Sequence, residues 1–438
     1  MSIEPGAARP RTAYASFAAF GAFWGVWGAS VPALRVQAGL TDGELGTALL
    51  FVGAGALPAM LATGRAVDRW GLRVAALLLG TLGATGVLVA AAGRDIWSLS
   101  AGLALLGASS GAADVAINAA AGSAERGTGR PVITRAHGVF SATVVVGSLG
   151  TGLLAGLGLP LLVPFLLVAA GSAGVALAVF ADGRAATEAD QEAGTVAADA
   201  GAGRGAGGAG QGADRPGSPR TGPGVRLLPL LVIGGLGALA FAVENAHQSW
   251  GAVYLADVAD AGPALAAAGP AVFAAVVALT RFAAGVIGSR HAAAVLVAGS
   301  VTAAAGTALV SVATAVPAVL LGLALAAAGT AVLFPTLVGV VTAHVDDTAR
   351  GRATSVVSTV AYLGFLAGPV YVGRWADATG LSGAMAAVAA LAAVLAVLAW
   401  PLLRAVHTGA GWHPDSGGTG RSATDSGRDA VPHHDVRP

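Results

Sequence analysis

Residues 45–93 read LGTALLFVGAGALPAMLATGRAVDRWGLRVAALLLGTLGATGVLVAAAG, two apolar runs joined by a short charged turn. Each run supplies about the 20 predominantly apolar residues that a helix needs to cross a bilayer. The turn between them contains Arg65, Asp68, Arg69 and Arg73. This stretch therefore predicts two neighbouring membrane helices whose connection lies in water.

The same apolar pattern recurs along the whole chain. It predicts twelve membrane spans, near residues 13–34, 45–66, 74–93, 97–120, 136–157, 160–181, 227–252, 268–289, 292–312, 315–342, 353–374 and 380–403. Residues 182–226 and 405–438 lack the pattern, which predicts a disordered linker and a disordered tail. The predicted fold is an all-α polytopic membrane protein with six-helix halves at residues 1–181 and 227–404.

The composition excludes several classes of protein. The 438 residues are 55% apolar and 11% charged, with a mean hydropathy of +0.75, whereas soluble domains carry about 25% charged residues. All 24 basic residues are Arg and there is no Cys, which excludes disulfides, cysteine metal sites and a P-loop lysine. A net charge of +1 gives no reason to expect nucleic-acid binding. We therefore expect no enzyme activity, no cofactor and no metal, and a monomer whose partners are the bilayer and a small molecule.

The distribution of Arg predicts the orientation, because cytoplasmic loops accumulate basic residues. With the N-terminus inside, most Arg residues lie at the cytoplasmic face, and only Arg35, Arg94 and Arg374 lie outside. Both termini, the linker and the tail are then cytoplasmic. Neither Asn118 nor Asn245 begins a glycosylation sequon, which fits a bacterial inner membrane.

A constant offset relates the two halves. It pairs Gly111 with Gly329 and Gly150 with Gly368, each 218 residues apart, and the loop at 64–73 with the loop at 282–291. Parallel six-helix repeats are a transporter architecture, in which the substrate site lies near the midplane between the halves.

The loop at 64–73 resembles the signature loop of the major facilitator superfamily. Its landmarks are Gly64, Asp68, Arg69, Gly71 and Arg73. The resemblance implies a twelve-helix transporter that works by alternating access, with this loop as a gate that latches the cytoplasmic side. In the second half Val286 replaces the Asp, and Arg281 remains as a gating candidate.

A second resemblance concerns the fourth, fifth and seventh spans. Residues 114–118, 125–126, 130–131, 137–141 and 244–255 are similar to a branch of uncharacterised inner-membrane transporters distantly related to fucose permeases. It implies a proton-coupled permease for a sugar or metabolite. A proton-driven exporter of drugs or secondary metabolites is an alternative, which the apolar lining and the scarcity of charge in the second half favour. A membrane sensor that transports nothing is a remote one.

Polar side chains share one face of the fourth span. Gly107, Gly111, Asp114, Asn118, Ala121 and Glu125 follow one another at helical spacing. Because an ionisable group at the bilayer centre costs on the order of 2.5–3.5 kcal/mol, Asp114 predicts a proton or substrate site, a structural hydrogen bond to Asn118, or a latch in which it pairs with an Arg. His137 and Ser141 begin the fifth span and could join this cluster or mark the interface.

The seventh span contains four polar side chains within five residues, and we expect all of them to line a cavity: Glu244, Asn245, His247 and Gln248. Glu244 is the second candidate for coupling. Trp24 and Trp27 in the first span predict either stacking on a substrate or helix packing. Arg281 either reaches the cytoplasmic surface or pairs with a buried acid such as Asp114.

Overall fold

The computed structural model describes residues 9–70, 72–202, 226–284 and 291–407, and every regular element among them is an α-helix. The first half contains six long helices. They are α1 (Pro10–Ala38), α2 (Asp42–Trp70), α3 (Leu72–Ala92), α4 (Ile96–Thr128), α5 (Val132–Gly156) and α6 (Leu162–Ala202).

The second half also forms six spans, although its seven elements do not match the spans one to one. Its elements are α7 (Leu227–Asp257), α8 (Pro263–Ala266), α9 (Ala268–Ala284), α10 (Ala292–Val312), α11 (Val316–Thr330), α12 (Leu333–His344) and α13 (Asp347–His407). α8 with α9 forms one span, and α11 with α12 another. α13 contains two helices that meet at Gly380, whose φ of 76° and ψ of 168° are not helical.

These breaks account for the number of spans. Eleven continuous segments of the described chain are long and apolar enough to cross a membrane, and one of them, Ala349–Arg404, contains Gly380. Division at Gly380 gives twelve. The predicted all-α membrane fold is therefore confirmed.

The sixth helix extends beyond its predicted end. The sequence places a disordered linker from residue 182, whereas α6 continues to Ala202. Asp182 lies in this helix and forms ion pairs with Arg9 at 3.3 Å and Arg11 at 3.5 Å. An acid that pairs with two cations at the start of α1 is part of the bundle. The rest of the predicted linker from 203 to 225, and the tail from 408, lie outside the described residues.

Local chemistry sets several helix ends. α1 ends at Gly39, whose φ of 63° is a left-handed conformation that glycine adopts without steric cost. α4 begins after Asp95, whose carboxylate accepts from Ser98 N at 2.9 Å and Trp97 N at 2.8 Å. These backbone donors, that of Ser98 above all, hold the pKa of Asp95 below its ordinary value. Gly39 and Asp95 both lie at the end of the bundle that the Arg distribution predicts to face outward. This end is called the outer end.

Glycines allow the same close helix packing in both halves. A Cβ at Gly25 of α1 would lie 2.3 Å from Val144 O of α5, and a Cβ at Gly364 of α13 would lie 1.8 Å from Ala238 O of α7. The pairs α1–α5 and α7–α13 thus occupy equivalent places, as the internal repeat predicts.

The two halves meet closely at the outer end. Arg35 of α1 forms ion pairs with Asp42 of α2 and, across the halves, with Asp257 of α7. Gly43 N donates to Asp377 Oδ1 at 2.9 Å, and this bond also crosses the halves. The bundle is therefore closed at this end.

Candidate substrate cavity

A cavity of about 480 Å³ lies between the halves. α1, α2 and α5 line it from the first half, and α7, α9 and α13 from the second. At one side Gly28 packs on Pro270, where a Cβ at Gly28 would lie 3.2 Å from Pro270 Cβ. At the other side the cavity reaches Thr134, near the start of α5, and Arg281, near the end of α9. It therefore extends from the middle of the bundle away from the closed outer end.

The cavity lining combines aromatic side chains with a few polar ones. The aromatic residues are Trp24, Trp27, Phe140, Phe273, Phe282 and Phe365. The polar residues are Thr134, His137, Ser141, Glu244, Asn245, Gln248, Ser249 and Arg281. The structure thus brings together at one cavity eight of the residues that the sequence singles out: Trp24, Trp27, His137, Ser141, Glu244, Asn245, Gln248 and Arg281.

Glu244 and Arg281 form an ion pair in the cavity wall. Arg281 Nη2 donates to Glu244 Oε1 at 3.3 Å, and Gln248 Nε2 donates to the same oxygen at 3.1 Å. Arg281 Nε also donates to Ala331 O at 3.2 Å. The Arg281 side chain is 47% exposed, whereas that of Glu244 is 11% exposed. The cation therefore faces the cavity and the acid lies behind it.

This pair decides between the two alternatives for Arg281, which were the cytoplasmic surface and a buried acid such as Asp114. Arg281 pairs with a buried acid, which is Glu244 and not Asp114. Its side chain lines the cavity, whereas the sequence groups it with the gating loop. Residues 244 and 281 lie on different helices, so sequence spacing alone does not reveal that they meet.

Asn245 and Ser249 tie α7 to α13. Asn245 Nδ2 donates to Phe365 O at 2.9 Å, and Ser249 Oγ donates to Asn245 Oδ1 at 2.6 Å. Ser249 is a lining residue that the sequence analysis does not single out. Its position four residues after Asn245 is the signal that could have found it, because residues so spaced are neighbours on a helix.

His247 does not line the cavity, contrary to the expectation for all four polar residues of α7. It is 1% exposed, with Nδ1 2.7 Å from Val243 O and Nε2 3.0 Å from Thr307 Oγ1. At about 100° per residue, Glu244, Gln248, Asn245 and Ser249 cover roughly 140° of the helix surface, and His247 lies outside that arc. Its ring instead stacks on Phe273, with centroids 5.8 Å apart.

Asp114 and Asn118 form a pair of their own behind the cavity. Asn118 Nδ2 donates to Asp114 Oδ1 at 3.0 Å and to Asp114 O at 2.9 Å. Neither residue is in the cavity lining. His137 of α5 and Tyr362 of α13 lie close enough to Asp114 to interact with its charge. The expected cluster is thus divided, because only His137 and Ser141 reach the cavity.

The gating loop lies at the end of the bundle opposite Arg35. Arg69 stacks over the Trp70 ring at 5.4 Å from its centroid, and a Cβ at Gly64 would meet no atom within 4 Å. Arg73 is exposed at the start of α3. The Asp68 side chain, Gly71 and Val286 lie outside the described residues, so the latch stays a prediction.

Comparisons with known proteins find similarity to membrane transporters. The family description Major Facilitator Superfamily matches residues 236–429. An uncharacterised MFS-type transporter of Yersinia pestis is 28% identical over 387 residues, which are 87% of this chain and 92% of that protein. An uncharacterised transporter of Sinorhizobium fredii is 28% identical over 80% of this chain and 86% of its own length.

Solved structures of transporters share the fold. A mutant of the nucleoside transporter NupG superposes with a TM-score of 0.70 at 15% identity, over 90% of this chain and 98% of that one. A bacterial homologue of the human lysosomal transporter Spinster, inward-facing and occupied, superposes with a TM-score of 0.65 at 15% identity, over 90% and 96% of the two chains. At such identities the likeness concerns the fold alone.

Proposed function

We propose that this chain is a multi-pass membrane transporter of the major facilitator superfamily, and that it couples the passage of a small organic molecule through the central cavity to a proton gradient. We propose uptake as the direction and a metabolite permease as the class. The sequence resemblance to proton-coupled permeases supports this choice.

The observation that carries the proposal is the Glu244–Arg281 pair in the wall of the cavity. An unpaired carboxylate in a membrane interior is costly, so Glu244 is stable either as an anion beside Arg281 or as a neutral acid. A substrate that takes over Arg281 leaves Glu244 without its counterion. Glu244 then takes up a proton from the water on the same side, and substrate and proton cross together.

Alternating access supplies the movement. The outer end is closed by the Arg35 ion pairs, while the cavity extends toward the opposite end. The binding of substrate and proton changes the relative stability of this state and of one that is open at the outer end. The two halves, each held together by its own glycine contacts, are suited to rock about the cavity as units.

The geometry favours Glu244 over Asp114 as the proton site. The sequence ranks Asp114 first, yet Asp114 bonds to Asn118 outside the cavity lining, while Glu244 is beside the cavity with a cation that a substrate can reach. We assign Asp114 a supporting role, in which it fixes Asn118 and lies near His137.

Export is a second candidate, favoured by one observation. Six aromatic residues line the cavity, and such a surface suits amphiphilic drugs or secondary metabolites. An exporter would release a proton from Glu244 inward as it carries its cargo outward. The direction of proton movement therefore separates the two candidates.

Proteoliposomes that enclose a pH dye test the proposal. We expect a substrate added outside to acidify the lumen with wild-type protein, and we expect Glu244→Gln to abolish that acidification while substrate binding persists. Asp114→Asn is the matched control, because it also removes one carboxylate from a membrane span. Coupled flux that persists in Glu244→Gln and disappears in Asp114→Asn would make Asp114 the proton site, as the sequence ranks it. Proton efflux that opposes the cargo would identify an exporter.

A further inference from the structure

We infer that the substrate class of this cavity is a small organic anion, an apolar or aromatic body with one carboxylate that binds Arg281 in place of Glu244. This inference rests on the proposed function of the cavity and specifies what the cavity recognises. It concerns the head group and the body of the molecule separately, and each has its own evidence.

The head group follows from which member of the ion pair a ligand can touch. The Arg281 side chain is 47% exposed and that of Glu244 is 11% exposed. Arg281 uses Nε on Ala331 O and Nη2 on Glu244, and Nη1 has no hydrogen-bond partner among the described residues. A guanidinium presents five N–H donors in a planar fork that matches a carboxylate. Both residues line the cavity, and a ligand there finds far more of the cation exposed than of the acid.

The charge of the cavity lining also favours an anionic substrate. Among the described lining residues, the acidic and basic side chains are Glu244, Arg281 and His137. With Glu244 ionised the pair is neutral, and with Glu244 protonated the cavity is positive. A cationic substrate would have to compete with Arg281 for a carboxylate that lies behind it. An anion instead meets a complementary charge once Glu244 is neutral.

The body of the substrate follows from the rest of the lining. The side chains of Asn245, Gln248 and Ser249 already bond to Phe365 O, Glu244 and Asn245. A neutral sugar needs several free donors and acceptors, because each of its hydroxyls loses water on entry. Trp24, Trp27 and four Phe side chains offer apolar faces instead. A volume of about 480 Å³ suits a small molecule with one ring or a short chain.

Binding then requires a proton for a physical reason. The carboxylate of the substrate accepts from the guanidinium of Arg281, and the hydrogen bond from Arg281 to Glu244 breaks. A hydronium ion of the bulk water gives one proton to the Glu244 carboxylate and becomes water, so one O–H bond breaks as one forms. One anion and one proton then enter together, and no net charge is transferred.

A matched set of probes tests the inference on the full chain in detergent. Calorimetry measures the binding of 3-phenylpropionate, 3-phenylpropionamide and 3-phenylpropylamine, which share one body and differ in head-group charge, and of hexanoate, which lacks the ring. Because a hydrogen bond between two charged groups is stronger than one to a neutral amide, we expect the carboxylates to bind at least about tenfold more tightly than the amide, and the amine to bind least.

Two variants separate recognition from a structural role. Arg281→Gln is expected to weaken carboxylate binding by about tenfold or more, with partial recovery in Arg281→Lys, which retains the charge without the fork. Glu244→Gln removes the competing internal anion, so it is expected to tighten carboxylate binding and to remove its dependence on pH. A merely destabilised cavity would not bind more tightly. Arg374→Gln, which removes an exposed Arg outside the cavity, is the control.

The remaining outcomes separate an error in the substrate class from an error in the proposed proton coupling. If the amide or the amine binds as tightly as the carboxylates, or if no carboxylate binds in the millimolar range, the anion class is wrong. If the amide or the amine drives acidification in proteoliposomes, the anion class is wrong but the proposed coupling to protons is right. If a carboxylate binds at Arg281 and moves without proton flux, the substrate class is right and the proposed coupling is wrong.

Discussion

At the scale of single residues, the cavity depends on one asymmetric ion pair. Glu244 lies behind Arg281 and accepts hydrogen bonds from it and from Gln248. Its carboxylate is costly to leave without a counterion, because the side chain is only 11% exposed. The same residue that is proposed to carry the proton therefore also contributes to the stability of the resting state.

Loss of the Arg281 cation alone should destabilise the protein, and loss of both charges should destabilise it much less. We expect Arg281→Gln to cost about 1–3 kcal/mol, because it leaves a buried charged acceptor without its main donor. The double variant with Glu244→Gln should recover most of that cost. The apparent Tm of the three variants in detergent measures the coupling. A double variant that is less stable than Arg281→Gln would show that the two residues act independently.

At the scale of helices, glycine positions set how closely the spans pack. A Cβ at Gly107 of α4 would lie 1.9 Å from Val52 O of α2, so the two backbones touch there. The glycines on the polar face of α4 therefore serve packing against α2. Helical spacing puts them on one face with Asp114, and the part of that face with Gly107 and Gly111 is in contact with α2.

Addition of one methyl group at this contact should destabilise the α2–α4 pair. We expect Gly107→Ala to lower the free energy of unfolding by about 1–3 kcal/mol, because a well-packed contact must open to admit it. Gly150→Ala on α5 is the control, since a Cβ there would meet no atom within 4 Å. Thermal unfolding in detergent measures both. Equal Tm values for the two variants would contradict a tight contact at Gly107.

At the scale of the whole molecule, the two halves touch through charges at the outer end. Arg35 joins Asp42 of its own half to Asp257 of the other. Such a partly exposed contact is weak, about 0–1 kcal/mol. A weak bridge suits a transporter, since the closed end must open in each cycle.

Removal of the bridge should shift the balance between conformations. Asp257→Asn is expected to reduce closure of the outer end by up to about fivefold, the equivalent of about 1 kcal/mol. The chain has no Cys, so spin labels at Arg130→Cys and Arg352→Cys report the distance between the halves at the opposite end. We expect a new population with a shorter distance, absent in the control Asp260→Asn. An unchanged distribution would show that the bridge does not hold the outer end closed.

The orientation that we propose, with both termini cytoplasmic in a bacterial inner membrane, is also testable at this scale. Arg94 and Arg130 are exposed at opposite ends of the bundle. We expect a membrane-impermeant maleimide to label Arg94→Cys in spheroplasts, and Arg130→Cys only after the membrane is permeabilised. The reverse pattern would invert the molecule in the membrane.

The sequence determined those features that depend on local properties of the chain. A span is defined by about 20 apolar residues in succession, so the twelve spans follow from hydropathy, and Gly380 is the first residue of the last predicted span. The cluster of four polar side chains in the seventh span predicted a cavity, which Glu244, Asn245 and Gln248 line. The end of α6 was misjudged because loss of hydropathy at residue 182 does not end a helix that is rich in Ala.

The tertiary structure decided which residues meet. The partner of Arg281 is Glu244, 37 positions away on another helix, and no periodicity relates the two residues. The burial of His247 and the position of Asp114 behind the cavity depend on which neighbouring helix covers each face. Hydropathy and periodicity act along one helix, whereas the cavity is formed by six helices from two halves. The sequence therefore determines the membrane fold, and only the packing of those helices determines the chemistry of the site.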